Sequence, residues 1–130
     1  MGPKYSGKTT LAKKYSKSSI TLTPLNLNEY KTMLNLSADT FFAGEKPKLI
    51  DEWQLIPEVW DLTRHQVDQE EGRGLYILTR SSAANFDINM HSGAGRIGRM
   101  IIRPMSLYEV GASSGEISLK ELFNNIEVNY

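Results

Sequence analysis

A chain of 130 residues with 40% apolar content has the size and the core-forming material of one ordinary domain, which excludes a multidomain machine. Fifteen Lys and Arg balance fifteen Asp and Glu, so no overall field draws nucleic acid or an anionic membrane to the molecule. The absence of Cys excludes a disulfide scaffold, a thiolate zinc site and a cysteine nucleophile, two His cannot build a His-rich metal cage, and no apolar run approaches the roughly 18 residues of a membrane span.

No signal-peptide pattern opens the chain, and a soluble cytoplasmic domain is the resulting expectation. In chain order, a helix is predicted from Lys8 to about Ser18, with Leu11 and Tyr15 four residues apart on one face. A short strand follows over Ile20 to Leu22. Asn28 is a candidate cap for a helix reaching Leu36, and Ser37 for another reaching Phe42, ended by Gly44. Pro47 to Ile50 reads as a strand running into Asp51 and Glu52. Pro57 can open a helix whose apolar face holds Val59, Trp60, Leu62 and Val67, up to Gly72. Leu75 to Leu78 is an apolar run of β-formers, predicted to be a strand covered on both faces. Residues 83 to 95 read as loop or short helix. A further strand is expected over Arg99 to Arg103, stopped by Pro104. Ser106 can cap a turn through Glu109, and Ser118 a helix to Phe123 with Glu121 completing a capping box. Strands alternating with helices predict an α/β domain with a parallel sheet.

The zero net charge is unevenly distributed. Lys4, Lys8, Lys13, Lys14 and Lys17 lie in a stretch with no acid, as do Arg96, Arg99 and Arg103, while the acids concentrate between Glu45 and Glu71 and after Glu109. For most of these lysines a solvated face is the simplest reading. The first cluster, however, contains Gly2-Pro3-Lys4-Tyr5-Ser6-Gly7-Lys8-Thr9, which fits G-x-x-x-x-G-K-[ST] without a mismatch. A chance match in a chain this long is on the order of one in a few hundred. Glycines let successive N–H groups turn inward, and the helix that follows presents its positive end to a phosphate. Lys8 is placed to reach the β- and γ-phosphates, Thr9 to bind Mg²⁺ and Thr10 to contact the α-phosphate. Asp51 and Glu52, at the end of a predicted strand, supply the acidic pair: Asp51 toward Mg²⁺, Glu52 toward the attacking water.

These residues resemble the bacterial and archaeal AAA-type P-loop ATP-binding proteins that carry a further C-terminal domain. The resemblance runs through the loop with Thr10, Leu49-Ile50-Asp51-Glu52-Trp53-Gln54, Tyr76 to Thr79 with Ser81-Ser82, His91 to Arg96, Arg103 to Leu107, and Ser113 to Glu116, in order. It implies a doubly wound parallel sheet with helices on both faces, and ATP and Mg²⁺ as ligands. Residues 1–123 are expected to form a partial ATP-binding domain and 124–130 a polar tail. Only Met1 precedes Gly2, so the strand that ordinarily leads into the loop is expected to be absent, together with the lid and the C-terminal domain. The resemblance further implies that Thr79 or Ser81 orients the γ-phosphate and water, and that Arg96 and Arg99 are candidates for an arginine finger acting on a neighbouring subunit, with a structural ion pair to an acid such as Asp87 as the alternative. Arg80 stands where relatives have Gly. His65 and His91 read as structural or surface residues.

The function expected is ATP binding with Mg²⁺-dependent hydrolysis. The alternative is a truncated remnant that binds nucleotide weakly or serves only as an interaction module. A homo-oligomer or a missing domain are the expected partners. A nucleic-acid role for the Arg96 to Arg103 zone is the weakest reading, because no recognition motif accompanies it.

Overall fold

The computed structural model describes residues 6–81, 95–112 and 114. Its elements are α1 (Lys8–Tyr15), β1 (Ser18–Thr21), α2 (Leu27–Leu36), α3 (Ala38–Phe42), β2 (Lys48–Asp51), a 3₁₀ turn (Trp53–Leu55), α4 (Glu58–Gln69) and β3 (Tyr76–Thr79). The three strands form one sheet in the order β1-β2-β3, both pairings parallel. The register aligns Ser18, Lys48 and Tyr76 at one end and Thr21, Asp51 and Thr79 at the other. Sequence order and spatial order coincide, so each parallel pair is joined by a helical crossover, as parallel pairing requires.

Alternation along the strands divides the sheet into two faces. Ile20 and Ile50 join Leu22, Phe41, Phe42, Trp53, Ile56, Val59 and Trp60 in the buried cluster under α2, α3 and α4, with Tyr76 and Leu78 packed against it. Leu49, one residue out of phase with Ile50, is fully buried without belonging to that cluster, and α1 lies against β2 and β3. The sheet thus carries helices on both faces. Edge-to-face aromatic contacts run from α2 to β3 through Tyr30–Phe41 at 5.8 Å, Phe41–Phe42 at 5.0 Å and Phe42–Tyr76 at 5.5 Å. Such contacts add about 0.5–1.5 kcal/mol each to the area buried.

Local chemistry sets the boundaries. α1 stops at Tyr15, short of Ser18, because Ser16 is extended and the Lys17 N–H donates to Pro47 O at 2.8 Å, drawing the chain into the sheet. β1 consequently starts at Ser18, earlier than the apolar run. Asn26, two residues before the expected cap, precedes α2; its side chain accepts from Thr23 N and donates to Thr21 O, stitching the turn instead of the helix end. Ser37 caps α3 as expected, accepting from Thr40 N. In α4 the buried stripe is Val59, Trp60, Thr63 and Gln66, while Leu62 and Val67 are half-buried. Ser106 closes its turn as expected: its hydroxyl accepts from Glu109 N, and the Glu109 carboxylate accepts from Ser106 N–H and O–H.

Two expectations are corrected. Full coverage belongs to β2, where all four residues are buried; Tyr76, Ile77 and Leu78 of β3 are half-buried, because β3 forms a sheet edge among the described residues. No strand forms over Arg99 to Arg103. Met100 and Ile101 are each 70% exposed, so the apolar run has no buried face to hold it in a sheet. The helix expected after Ser118 and the loop over 83–94 lie outside the described residues. No helix among the described residues is long and apolar enough to cross a membrane.

At the end of the sheet where the strands begin, two lysines close the C-terminus of α3. Lys48, 5% exposed, donates to Phe41 O at 2.6 Å and to Ala43 O, and burial together with the nearby Lys46 charge holds its ammonium below the ordinary lysine range. Lys46 donates to Phe42 O at 2.7 Å and to the Tyr76 hydroxyl at 2.6 Å, and lies 3.6 Å from Glu70. The Tyr76 hydroxyl donates to Glu70. Burial, that hydrogen bond and the Glu70 charge raise the Tyr76 phenol above its ordinary value. A phenol held neutral in the fold contributes stability that is complete below the unfolded value near 10 and declines as pH rises toward the higher folded value. The stability difference between wild type and Tyr76→Phe, followed by urea unfolding, is therefore expected to be constant below about pH 10 and to shrink above it.

Candidate functional site

The opposite end of the sheet gathers the residues singled out in the sequence. Gly7 precedes α1 with φ 81°, in the left-handed region that glycine occupies without strain, and so turns the loop into the helix. A cavity of about 520 Å³ opens there, lined by Ser6, Gly7, Lys8, Thr9, Thr10, Glu52 and Ser81. Lys8 is 7% exposed and its ammonium donates to Ser6 Oγ at 3.3 Å. An ammonium, a helix N-terminus and backbone N–H groups around one hollow form an anion receptor.

Asp51 terminates β2 and is 3% exposed. Its Oδ1 accepts from the Thr9 hydroxyl at 3.2 Å and from the Thr79 hydroxyl. The parallel register sets Thr79 beside it, and α1 brings Thr9 over it. A hydroxyl and a carboxylate held together beside a cavity at a helix N-terminus fit Mg²⁺, which takes few protein oxygens and completes its shell with water and substrate phosphate. Among the described residues no cluster of three or more His, Cys, Asp or Glu offers an all-protein metal cage.

Glu52 follows with φ 58° and ψ 39°, the one left-handed residue other than glycine among the described residues. That conformation is costly for a side chain with a Cβ and concentrates at functional sites. It turns the chain from β2 into the 3₁₀ turn and leaves the carboxylate at the cavity wall. Ser81 Oγ donates to Glu52 Oε1 at 2.7 Å and Gln54 Nε2 donates to Oε2. Burial works to raise the Glu52 carboxyl, but the Ser81 and Gln54 hydrogen bonds and the Lys8 charge outweigh it and hold the group below its ordinary value.

The structure thus brings together Lys8, Thr9, Thr10, Asp51, Glu52 and the Thr79–Ser81 segment. The last resolves into two parts, Thr79 on Asp51 and Ser81 on Glu52. Gly2, Pro3, Lys4 and Tyr5 lie outside the described residues. Arg96 and Arg99 do not line the cavity. Arg96 pairs with Asp68 on α4 at 2.6 Å, half-exposed, while the Arg99 guanidinium lies 5.9 Å from the Trp60 ring. His65 contacts Gln69 on the exposed side of α4, away from the site. Gln54 is the site residue that sequence reasoning placed within a matching motif but gave no role. Its signal was its place two residues after the acidic pair, which gains meaning only once the backbone is known to reverse at Glu52.

A three-stranded parallel sheet with helices on both faces, a helix-capped anion cavity and an acidic pair at the end of the middle strand define an α/β domain of P-loop type. The chain belongs to the AAA domain family, whose model matches residues 1–111. No curated protein and no solved structure matches it significantly. As a family member it is a nucleotide-binding module of the ATPase type, in a family that generally uses ATP and Mg²⁺.

The Thr79 to Asp51 contact gives a direct check. Replacing Thr79, 8% exposed, by the near-isosteric Val leaves a buried carboxylate short of one donor. Thr79→Val is expected to cost about 1.5–3 kcal/mol in chemical denaturation, the range for hydrogen bonds to charged groups.

Proposed function

We propose that this chain binds ATP with Mg²⁺ and hydrolyses it in the cavity at the start of α1. The observation that carries the reading is that Lys8, Thr9 and Glu52, from residues more than forty positions apart, line one hollow of about 520 Å³, with Asp51 hydrogen-bonded to Thr9 at its edge. In this reading the N–H groups at the α1 start receive the β-phosphate, completed by those of Gly2, Lys4 and Tyr5, while Pro3, which has no N–H, shapes the loop; Lys8 spans the β- and γ-phosphates, and Thr10 meets the α-phosphate. Thr9 and Asp51 hold Mg²⁺, which neutralises charge developing on the phosphate oxygens, and Thr79 orients Asp51. Glu52 accepts a proton from water as the water oxygen bonds to the γ-phosphorus. The bond from that phosphorus to the β–γ bridging oxygen breaks, and ADP leaves with the electron pair. The place of Ser81 on the cavity wall supports it, over Thr79, as the contact to the γ-phosphate. Arg96 and Arg99, off their own cavity, are assigned to the nucleotide of a neighbouring copy, for which Arg96 must leave Asp68.

A competing reading is binding without turnover. The observation on its side is that both Glu52 oxygens are engaged within the chain.

Two measurements separate these readings. Mg²⁺–ATP at a hundredfold excess over Kd is expected to stabilise the fold by about 2.7 kcal/mol, seen as a rise of several degrees in Tm, and Lys8→Ala to remove the shift. The absence of any shift would sink both readings. Steady phosphate release that Glu52→Gln reduces at least about a hundredfold while nucleotide binding persists supports hydrolysis. Stabilisation without phosphate release selects the binding module.

A further inference from the structure

We propose that Gln54 is a positioning residue for hydrolysis: its side-chain amide, returned over Glu52 by the left-handed backbone there, fixes the rotation of the carboxylate that takes the proton from water. The inference rests on the hydrolytic reading above and assigns a residue that this reading does not otherwise use.

A general base is effective only when its lone pair lies along the path of the departing proton, and a free Glu side chain samples many orientations. Here the carboxylate is gripped on both oxygens by different elements. Ser81 Oγ, just beyond β3, donates to Oε1 at 2.7 Å, and Gln54 Nε2, from the 3₁₀ turn, donates to Oε2. Two donors on two oxygens fix the plane of the group. The grip lowers the basicity of the group, since these hydrogen bonds and one from the Ser81 N–H hold the carboxyl below its ordinary value; what it supplies is orientation.

The Gln54 end of the grip is itself anchored. Trp53, its neighbour, is 3% exposed and lies 5.3 Å from the Trp60 ring of α4, and the turn is closed by Leu55 N–H to Glu52 O at 3.1 Å. The backbone beneath the amide therefore belongs to the core and not to a drifting loop. The Oε1 atom of Gln54 is buried with no hydrogen-bond partner among the described residues. A glutamine retained for packing alone leaves that oxygen a needless cost. The donor end on Glu52 is what the amide supplies against that cost. Gln54 does not line the cavity, so its action passes through Glu52 and not through the nucleotide.

The test uses the whole chain with Mg²⁺–ATP. Gln54→Met keeps the length of the side chain and removes the amide; Gln54→Leu serves as a second variant should the first fail to fold. Equilibrium titration is expected to give an unchanged Kd, within about twofold, while the single-turnover rate of phosphate release falls about 10- to 100-fold, the loss that follows misplacement of a catalytic group. In a Glu52→Gln background the same substitution is expected to have no further effect, because the base it orients is gone. A loss that multiplies with that of Glu52→Gln, a loss that falls on Kd, or turnover equal to wild type overturns the role while leaving the hydrolytic reading intact. Wild-type chain that binds Mg²⁺–ATP and releases no phosphate overturns the hydrolytic reading and this role with it. In that event, slowed exchange of the Gln54 side-chain amide protons, measured by NMR and lost in Glu52→Ala, reports the contact separately from the role.

Discussion

The Asp51 carboxylate is the point on which the site depends. It ends a strand whose four residues are all buried, and it accepts from Thr9 of α1 and Thr79 of β3 through the same oxygen. A buried carboxylate is tolerated only where donors replace the water it has lost. Here the donors come from the two elements that the site must hold together. Apolar packing of α1 on β2 and β3 sets a distance but not an axial position. The hydroxyl contacts supply that position, so the helix N-terminus, the Lys8 ammonium and the Glu52 carboxylate meet at one cavity.

The two ends of the sheet have opposite electrostatic character. Lys46 and Lys48 sit where β2 begins and give their protons to the carbonyls that end α3. Asp51 and Glu52 sit where β2 ends and collect hydroxyl and amide donors. In parallel α/β sheets ligands gather beyond the carboxyl ends of the strands, where loops and helix N-termini converge. The zero net charge of the chain is in this respect a spatial separation: cations closing a helix at one end, carboxylates facing an anion receptor at the other.

Much of this was legible in the residues themselves. The α/β alternation, the helix after the loop, the Ser37 cap and the Ser106 turn all rest on local rules, and local rules survive folding when nothing distant competes. Lys8, Thr9 and the Asp51–Glu52 pair could be singled out because the chemistry proposed for them demands fixed residue types at fixed spacing, and the structure brings them together. The failures have a common cause. The apolar run from Arg99 to Arg103 satisfies every local criterion for a strand, yet β-propensity is expressed only on a half-buried surface, and Met100 and Ile101 remain exposed. Full burial was expected of β3 and found in β2, because apolar composition does not say which strand occupies the middle of a sheet.

By itself, then, the sequence determined the class of fold and marked the helix start at Lys8 and the Asp51–Glu52 pair as the candidate site, since each is written in contiguous residues. Only the tertiary structure decided how those parts engage. It paired Thr79 with Asp51 and Ser81 with Glu52, where the chain alone left one sensor position shared between two candidates. It set Arg96 in an ion pair with Asp68, where the sequence alone offered Asp87 as an example of such an acid. It also brought Gln54 to the carboxylate by reversing the backbone at Glu52. The physical reason is the same in each case: hydrogen bonds between side chains depend on register and backbone direction over a few ångströms, and both are fixed by packing between elements distant in the chain.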